Sequence, residues 1–282
     1  MQSSLLDSPW GPIEYALQGR GFPILISHGA AGGFDQGLLI AAPLAASGFQ
    51  IVGPSRDGYL RSPSGPASSP QTQADKYAWL LDYLGLESCA IMGVSVGGPS
   101  AIEFALRHPR RCKALVLISS IVAAVRPAYL GILPQPLVLS FMKGPAYRII
   151  LMRTPDRLLL RILGVTPQDE RRASSNAGAA QALKATLLAT RDPQGLRTHG
   201  TMADITTARN LRQYPFADIQ MPALAVHGSN DRFAPFRFIA EATALMPHAS
   251  LEEITGAGHL CIFTHRNQVS SEVTRFLRTA LH

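Results

Sequence analysis

The sequence predicts an α/β fold, a mostly parallel sheet wrapped by helices, on three observations. Short β-rich apolar runs alternate with longer stretches of helical spacing. Apolar residues make up 46% of 282 residues, ample for a sheet buried on both faces. A glycine-rich turn, GVSVGG, sits between one such strand and one such helix.

Residues 13–17 and 24–27 read as two strands joined by a turn at Gln18-Gly19-Arg20-Gly21. Residues 36–47 are helical, and 51–53 form a short strand. The segment PSRDGYLRSPSGPASSP is too rich in Pro, Gly and Ser to be other than a loop. Residues 72–84 carry Tyr77, Leu80, Leu81 and Leu84 at helical spacing. A strand at 89–92, a helix at 96–108 and a strand at 114–119 follow. From 121 to 214 no strand pattern occurs, and helical runs are separated by Pro and Gly. The rhythm resumes with a strand at 223–227, a helix at 237–245, a strand at 250–254 and a helix from 267 onward.

The broken stretch is therefore an insertion. Residues 1–122 and 215–282 form the core, and residues 123–214 form a helical cap. The cap segment AYLGILPQPLVLSFMKGPAYRIILMRTPDRLLLRILG mixes Leu, Ile, Phe and Met with Arg and Lys. Helices packed onto the core with a charged outer face account for that mixture, with part of the apolar surface lining a pocket. A basic, apolar segment can also touch a membrane surface.

Composition excludes several classes. Lys and Arg number 26 against 19 Asp and Glu, a net charge of +7. The arginines are spread along the chain, with pairs only at Arg110-Arg111 and Arg171-Arg172. No basic run is interleaved with aromatics, so no nucleic-acid partner is expected. Cys89, Cys112 and Cys261 make no CxxC pair, zinc ligand set or disulfide framework. Reducing conditions fit, and the expected location is cytoplasmic. MQSSLLDSPWGPIEYALQ shows no basic segment followed by an apolar one, hence no visible signal peptide. The longest apolar candidate for a span, 127–142, carries three prolines and falls short of the roughly 20 residues a spanning helix needs. No stable membrane insertion is expected. Monomer and dimer both remain open.

The strongest local signal is CAIMGVSVGGPSAI, a G-x-S-x-G pattern between strand and helix. A serine on so tight a turn has a strained backbone, and a bulky side chain two residues to either side would clash. Gly93 and Gly97 supply the clearance. The turn lifts the Ser95 hydroxyl above the strand ends and aims the first helical amides, starting with Val96, at the same space.

A serine hydroxyl needs a base to accept its proton. Of eight histidines, His259 stands out in ITGAGHLCIF, just after the last strand, in a loop made flexible by Gly256 and Gly258. His108 ends a helix in RHP and caps its last carbonyls, His227 closes a strand as a packed or hydrogen-bonded residue, and His28 is a structural hydrogen-bonder. His199, His248, His265 and His282 are expected in solvent. Asp231, in HGSNDRFAP at another strand end, is the carboxylate to fix the imidazole tautomer. No acid follows the preceding strand, where Ser119, Ser120 and Ile121 stand. An acyl-transfer intermediate also needs backbone N–H donors for its oxyanion. Val96 supplies one. Ala30 in ISHGAAGGFD is the choice for the second, with Ala31 as the near alternative.

SHGAAGG, PSRDGYLRSP, GVSVGG, ALRHPRR, VHGSNDRFAP and GAGHLCIF run in order from residue 27 to 263. Together they resemble the α/β-hydrolase superfamily in its capped, single-domain, esterase-like branch. The resemblance implies an eight-stranded, mostly parallel sheet flanked by helices, with the helical cap inserted after the sixth strand. It gives Ser95, Asp231 and His259 the roles of nucleophile, acid and base, in the family's chain order, and Ala30 and Val96 the oxyanion hole. It implies no metal and no organic cofactor, and a small-molecule substrate. Epoxide hydrolases and haloalkane dehalogenases carry aspartate where Ser95 stands, which makes both unlike this chain. Hydrolases of carbon–carbon bonds carry a fuller glycine-proline oxyanion loop, and HGAAGG lacks that proline.

The expected reaction is hydrolysis of an uncharged, small to medium, apolar carboxylic ester through an acyl-enzyme on Ser95. Cleavage of a carbon–carbon bond beside a ketone by the same residues is one alternative. A non-catalytic, ligand-sensing hydrolase fold is another.

Overall fold

The computed structural model describes residues 2–65, 67–125, 140–141, 144–192 and 194–281. Eight strands form one sheet: β1 (Ser4–Ser8), β2 (Gly11–Gly19), β3 (Pro23–Ser27), β4 (Gln50–Pro54), β5 (Cys89–Val94), β6 (Cys112–Ile118), β7 (Ala223–Gly228) and β8 (Ala249–Ile254). Their order is β1-β2-β4-β3-β5-β6-β7-β8. From β4 to β8 every pairing is parallel, and β1–β2 and β2–β4 are antiparallel.

The central strands are buried on both faces, so they read as continuous apolar runs rather than alternating ones. Successive side chains still divide between two layers. Ile24, Ile26, Met92 and Val116 face α1 (Phe34–Ala46) and α11 (Arg266–Ala280). Leu25, Ile91, Leu115 and Leu117 face α2 (Pro70–Tyr83), α3 (Gly98–Arg107) and α9 (Phe236–Leu245). Ser69 caps α2, its side chain accepting the Thr72 N–H with Pro70 at the first helical position.

Between β6 and β7 in the chain lie α4 (Pro145–Arg153), α5 (Asp156–Ile162), α6 (Pro167–Ser174), α7 (Ala177–Arg191) and α8 (Thr198–Arg209). Leu159, Leu160, Ala182, Leu183 and Leu187 join the apolar layer that contains α1 and α11. A short helix, α10 (Cys261–Thr264), precedes α11. Most of the apolar stretch 127–142 lies outside the described residues, as does His282. No helix among the described residues is long and apolar enough to cross a membrane.

The structure departs from the reading of the residues in three places. The edge strand β1 escaped it because SLLDS is largely exposed and shows no apolar face. The runs at 13–17 and 24–27 are strands joined by a short turn, as read, and β4 lies between them in the sheet. The helix placed at 96–108 opens as a 3-10 turn, Ser95–Gly97, and becomes α-helical at Gly98. The outer face of the insertion is not simply charged: Ile149, Ile150, Met152, Leu158 and Ile162 are all about half exposed.

Candidate active site

Ser95 follows directly on β5 with φ +53°, a left-handed backbone that costs a non-glycine residue about 1–3 kcal/mol. The surrounding glycines make the turn possible. A Cβ on Gly93 would lie 2.8 Å from Ala101 Cβ and from Gly98 Cα. One on Gly97 would collide with the carbonyl oxygens of Ser27 and His28. The turn is locked against β3 by backbone contact, and side chains are excluded there.

Loops after β7 and β8 bring the partners to Ser95. Its hydroxyl lies 2.8 Å from His259 Nε2, and His259 Nδ1 lies 2.8 Å from Asp231 Oδ2. An ionised carboxylate only accepts, so Nδ1 carries the imidazole proton and Nε2 is left to accept from the serine. Asp231 Oδ1 accepts from the backbone N–H groups of Phe233 at 2.8 Å and Ala234 at 2.9 Å. These loop bonds set the carboxylate plane, so the sequence SNDRFAP orients the acid locally.

A second histidine reaches the same acid. His227 is fully buried, with Nε2 2.7 Å from the Ala234 carbonyl and 3.1 Å from Asp231 Oδ2. Both partners are acceptors, so Nε2 carries a proton. Nδ1 is buried with no hydrogen-bond partner among the described residues. Burial alone would raise the Asp231 pKa, but His259 and His227 outweigh it and hold the carboxyl far below its ordinary range.

The loop after β3 faces this chain of hydrogen bonds. Ala30, Ala31, Ser95, Val96 and His259 line one cavity of about 300 Å³. Val96 sits in the first turn after β5, where N–H groups have no intrahelical acceptor. Gly29 N–H donates to Gln36 Oε1 at 3.0 Å, which ties the loop to α1. His28 Nδ1 donates to the Gly29 carbonyl at 2.8 Å, and its Nε2 accepts from Arg56 N–H at 2.9 Å. Burial first, then the nearby Arg56 charge, holds His28 well below its usual pKa and hence neutral.

Arg56 also donates through Nε to the His28 carbonyl at 2.9 Å. Its two terminal nitrogens grip Asp204, on α8, at 2.7 and 2.6 Å, and the Tyr59 hydroxyl donates to the same carboxylate. Arg56, Tyr59 and Asp204 are all buried. Arg56, in the loop after β4, thus ties the carbonyls of the loop holding Ala30 to Asp204 of the helical insertion, and Asp204 is itself a cavity wall.

The structure brings Ser95, His259, Ala30, Ala31 and Val96 together around one space, with Asp231 behind His259. It corrects two other histidines. His108 pairs through Nε2 with Asp75 at 2.8 Å instead of capping carbonyls. His265 is buried against Thr264 rather than solvated. His227 is the buried, hydrogen-bonded residue expected, and its partners include Asp231. A cue existed, since His227 and Asp231 stand four residues apart around a turn. Arg56 and Asp204 had none, being 148 residues apart in the chain.

Most of the cavity is apolar, walled by Leu151, Leu159, Ile162, Ile205, Phe233 and Ile262. No lysine or arginine lines it among the described residues. These residues also include no group of three or more His, Cys, Asp and Glu side chains able to hold a metal ion. Cys89, Cys112 and Cys261 are buried free thiols. Chemically, the arrangement can deprotonate a serine hydroxyl and present it to an apolar acyl compound beside backbone donors.

Comparison with known proteins agrees with the fold. The sequence model described as alpha/beta hydrolase fold matches residues 23–145. The chain is 31% identical over 245 residues to 2-hydroxy-6-oxononadienedioate/2-hydroxy-6-oxononatrienedioate hydrolase 2 of Pseudomonas putida, covering 84% of this chain and 79% of that one. Hydrolase YcgS of Bacillus subtilis is 37% identical over 111 residues, so the match spans only 39% of its length and 39% of this chain. Among solved structures, an alpha/beta hydrolase fold protein from Nakamurella multipartita superposes over the whole of both chains with a TM-score of 0.79 at 25% identity. With the eight-stranded sheet in this order and a relative this similar over most of its length, the chain belongs to the α/β-hydrolase fold family and is a hydrolase.

Proposed function

We propose that the chain hydrolyses carboxylic esters of uncharged, apolar, small to medium compounds. Ser95 is the nucleophile, His259 the general base and then acid, and Asp231 the carboxylate that holds the imidazole. Ala30 and Val96 N–H groups bind the oxyanion, and the helices between β6 and β7 act as a cap over the substrate. Ser95 Oγ attacks the ester carbonyl as His259 takes its proton. The collapsing intermediate expels the alcohol with that proton. Water, deprotonated by His259, then releases the acid and restores the serine.

The observation that carries this reading is the apolar, arginine-free wall around the Ser95–His259 hydrogen bond. The similar Pseudomonas putida protein is named for an oxo-dicarboxylate, and a buried carboxylate without a cation is costly. One feature favours the ketone reading instead. A smaller recess shares Tyr147, Leu151, Thr190 and Thr201 with the main cavity and is lined by Arg148, Arg191 and Arg197. Arg191 and Arg197 are paired to Asp156 and Asp35. A long anionic ketone reaching that recess would find guanidinium groups at its far end.

The test is hydrolysis of p-nitrophenyl esters from acetate to laurate, beside an anionic vinylogous diketone, by wild type and Ser95→Ala. Turnover of the esters by wild type, falling about a thousandfold or more in the variant, supports the proposal. Faster turnover of the diketone moves the reading to carbon–carbon cleavage. Tight binding of an apolar ligand with no turnover of either points to a sensor.

A further inference from the structure

The helices α4 and α5 are apolar on both sides, which a helix at a protein–water boundary ordinarily is not. On the inner side Tyr147, Leu151 and Leu159 line the cavity. On the outer side Ile149 is 52% exposed, Ile150 54%, Met152 51% and Leu158 54%. Ile162 belongs to both, being 51% exposed and part of the cavity wall. Elsewhere the exposed large apolar residues, such as Leu5, Tyr83 and Leu245, are scattered over the sheet edge and separate helices, which is normal for a protein surface. A concentrated patch signals something that covers it.

The charge around the patch selects the partner. Between residues 148 and 162 the sequence holds Arg148, Arg153, Arg157 and Arg161 against a single acid, Asp156. Asp156 is engaged by Arg191 from α7. Arg153, Arg157 and Arg161 are exposed, and the Arg157 side chain is 88% exposed, with only a 3.7 Å approach to Glu170. A second copy of this chain fits poorly. A two-fold contact through this face would set these arginines against their own counterparts. Aliphatic side chains interspersed with arginine match an anionic lipid surface, with acyl chains for the former and phosphate for the latter.

We propose that the outer face of α4 and α5 docks onto an anionic lipid surface. Ile149, Ile150, Met152 and Leu158 enter the interface, and Arg153, Arg157 and Arg161 meet the headgroups. Lipophilic esters dissolved in the bilayer then reach Ser95 past Ile162. The docking stands apart from the ester reading; only the delivery of substrate rests on it.

The experiment is co-sedimentation of the full chain with vesicles of phosphatidylcholine alone and of an equimolar mixture with phosphatidylglycerol. Binding to the anionic vesicles is expected to exceed that to the neutral ones by about tenfold or more at low ionic strength and to fall in high salt. Two variants probe the two components separately: Ile149→Ser/Ile150→Ser/Met152→Ser, and Arg153→Glu/Arg157→Glu/Arg161→Glu. Both should lose vesicle binding while keeping the circular dichroism spectrum and the rate on soluble p-nitrophenyl acetate. If the apolar variant fails to fold, the arginine variant, which touches only exposed side chains, still decides. Equal sedimentation with both vesicles, or with neither, overturns the proposal. So does a dimer in solution that the same substitutions dissolve. Vesicle binding without any esterase activity would keep the docking and sink the ester reading instead.

Discussion

The sheet end that carries Ser95 and the helical insertion above it are built on opposite terms. Around Ser95 the backbone itself is the constraint: a positive φ, two glycines without room for a Cβ, and loop N–H groups that fix the acid. In the insertion the constraints are long-range side-chain contacts, above all the buried pair of Arg56 and Asp204. The insertion also keeps a half-exposed apolar surface that the sheet region lacks in concentrated form. The proposed nucleophile tolerates little displacement, and it sits where the covalent chain dictates position. A pocket wall must vary with substrate, so it hangs on contacts that can be rebuilt.

That contrast can be broken most directly at its junction. Asp204→Asn leaves the Arg56 guanidinium buried without a counter-charge. It should cost about 3–5 kcal/mol in urea unfolding, with a fall in ester turnover because the His28–Gly29 carbonyls lose their anchored partner. A paired replacement, Arg56→Met with Asp204→Leu, should recover most of the stability but not the turnover. Full recovery of turnover as well would show that the pair only packs the insertion and does not shape the Ala30 loop.

Asp231 tests the sheet end. Its carboxyl titrates far lower in the folded protein than in the unfolded chain, where an aspartate sits near pH 4. A depressed value stabilises above the unfolded pKa, and that stability is lost as the pH falls through the folded one. Asp231→Asn should therefore be less stable than wild type by about 2–3 kcal/mol at pH 7. The gap should narrow below about pH 4, where the unfolded wild-type chain takes up the proton. A gap that stays constant down to pH 3 would contradict the assignment.

A finer effect is expected at His227. His227→Phe removes one donor from Asp231 Oδ2, the oxygen that also accepts from His259. Relieved of that donor, the carboxylate holds the His259 proton more tightly. The acid limb of the kcat/KM profile should then move to higher pH, with about a tenfold loss of rate below the optimum, equivalent to ~1.4 kcal/mol. A uniform loss at every pH would mean that His227 only fills space. The smallest effect is expected on the exposed side of the insertion. Arg157→Ala removes a long, solvent-screened approach to Glu170 and should change stability by less than about 0.5 kcal/mol.

How far the sequence could be read follows the same division. The run from Cys89 to Ala101, with its glycines two residues either side of Ser95, is a local pattern with a local cause, and it lies where the motif placed it. Asp231 and His259 were found because each follows an apolar strand and the strands are parallel, which collects strand ends at one edge of the sheet. The order β1-β2-β4-β3 was not legible, because pairing depends on which edges are free, and alternation alone does not record that. His265 looked polar and exposed in THRN, yet it packs beneath Thr264, because α10 turns the chain inward there.

By itself, then, the amino-acid sequence determined the parallel α/β core, the turn at Ser95 and the two residues, Asp231 and His259, that the fold sets in line with it. Each rests on periodicity or on a sterically forced residue within a few positions. Only the tertiary structure decided that Arg56 clasps Asp204 across 148 residues, that His227 shares an oxygen with His259, and that α4 and α5 are apolar on both faces. The physical reason is range. Backbone sterics and hydrophobic period act between near neighbours and leave a mark in the order of residues. A buried ion pair, or the side of a helix left facing water, depends on which distant segments the folded chain brings together.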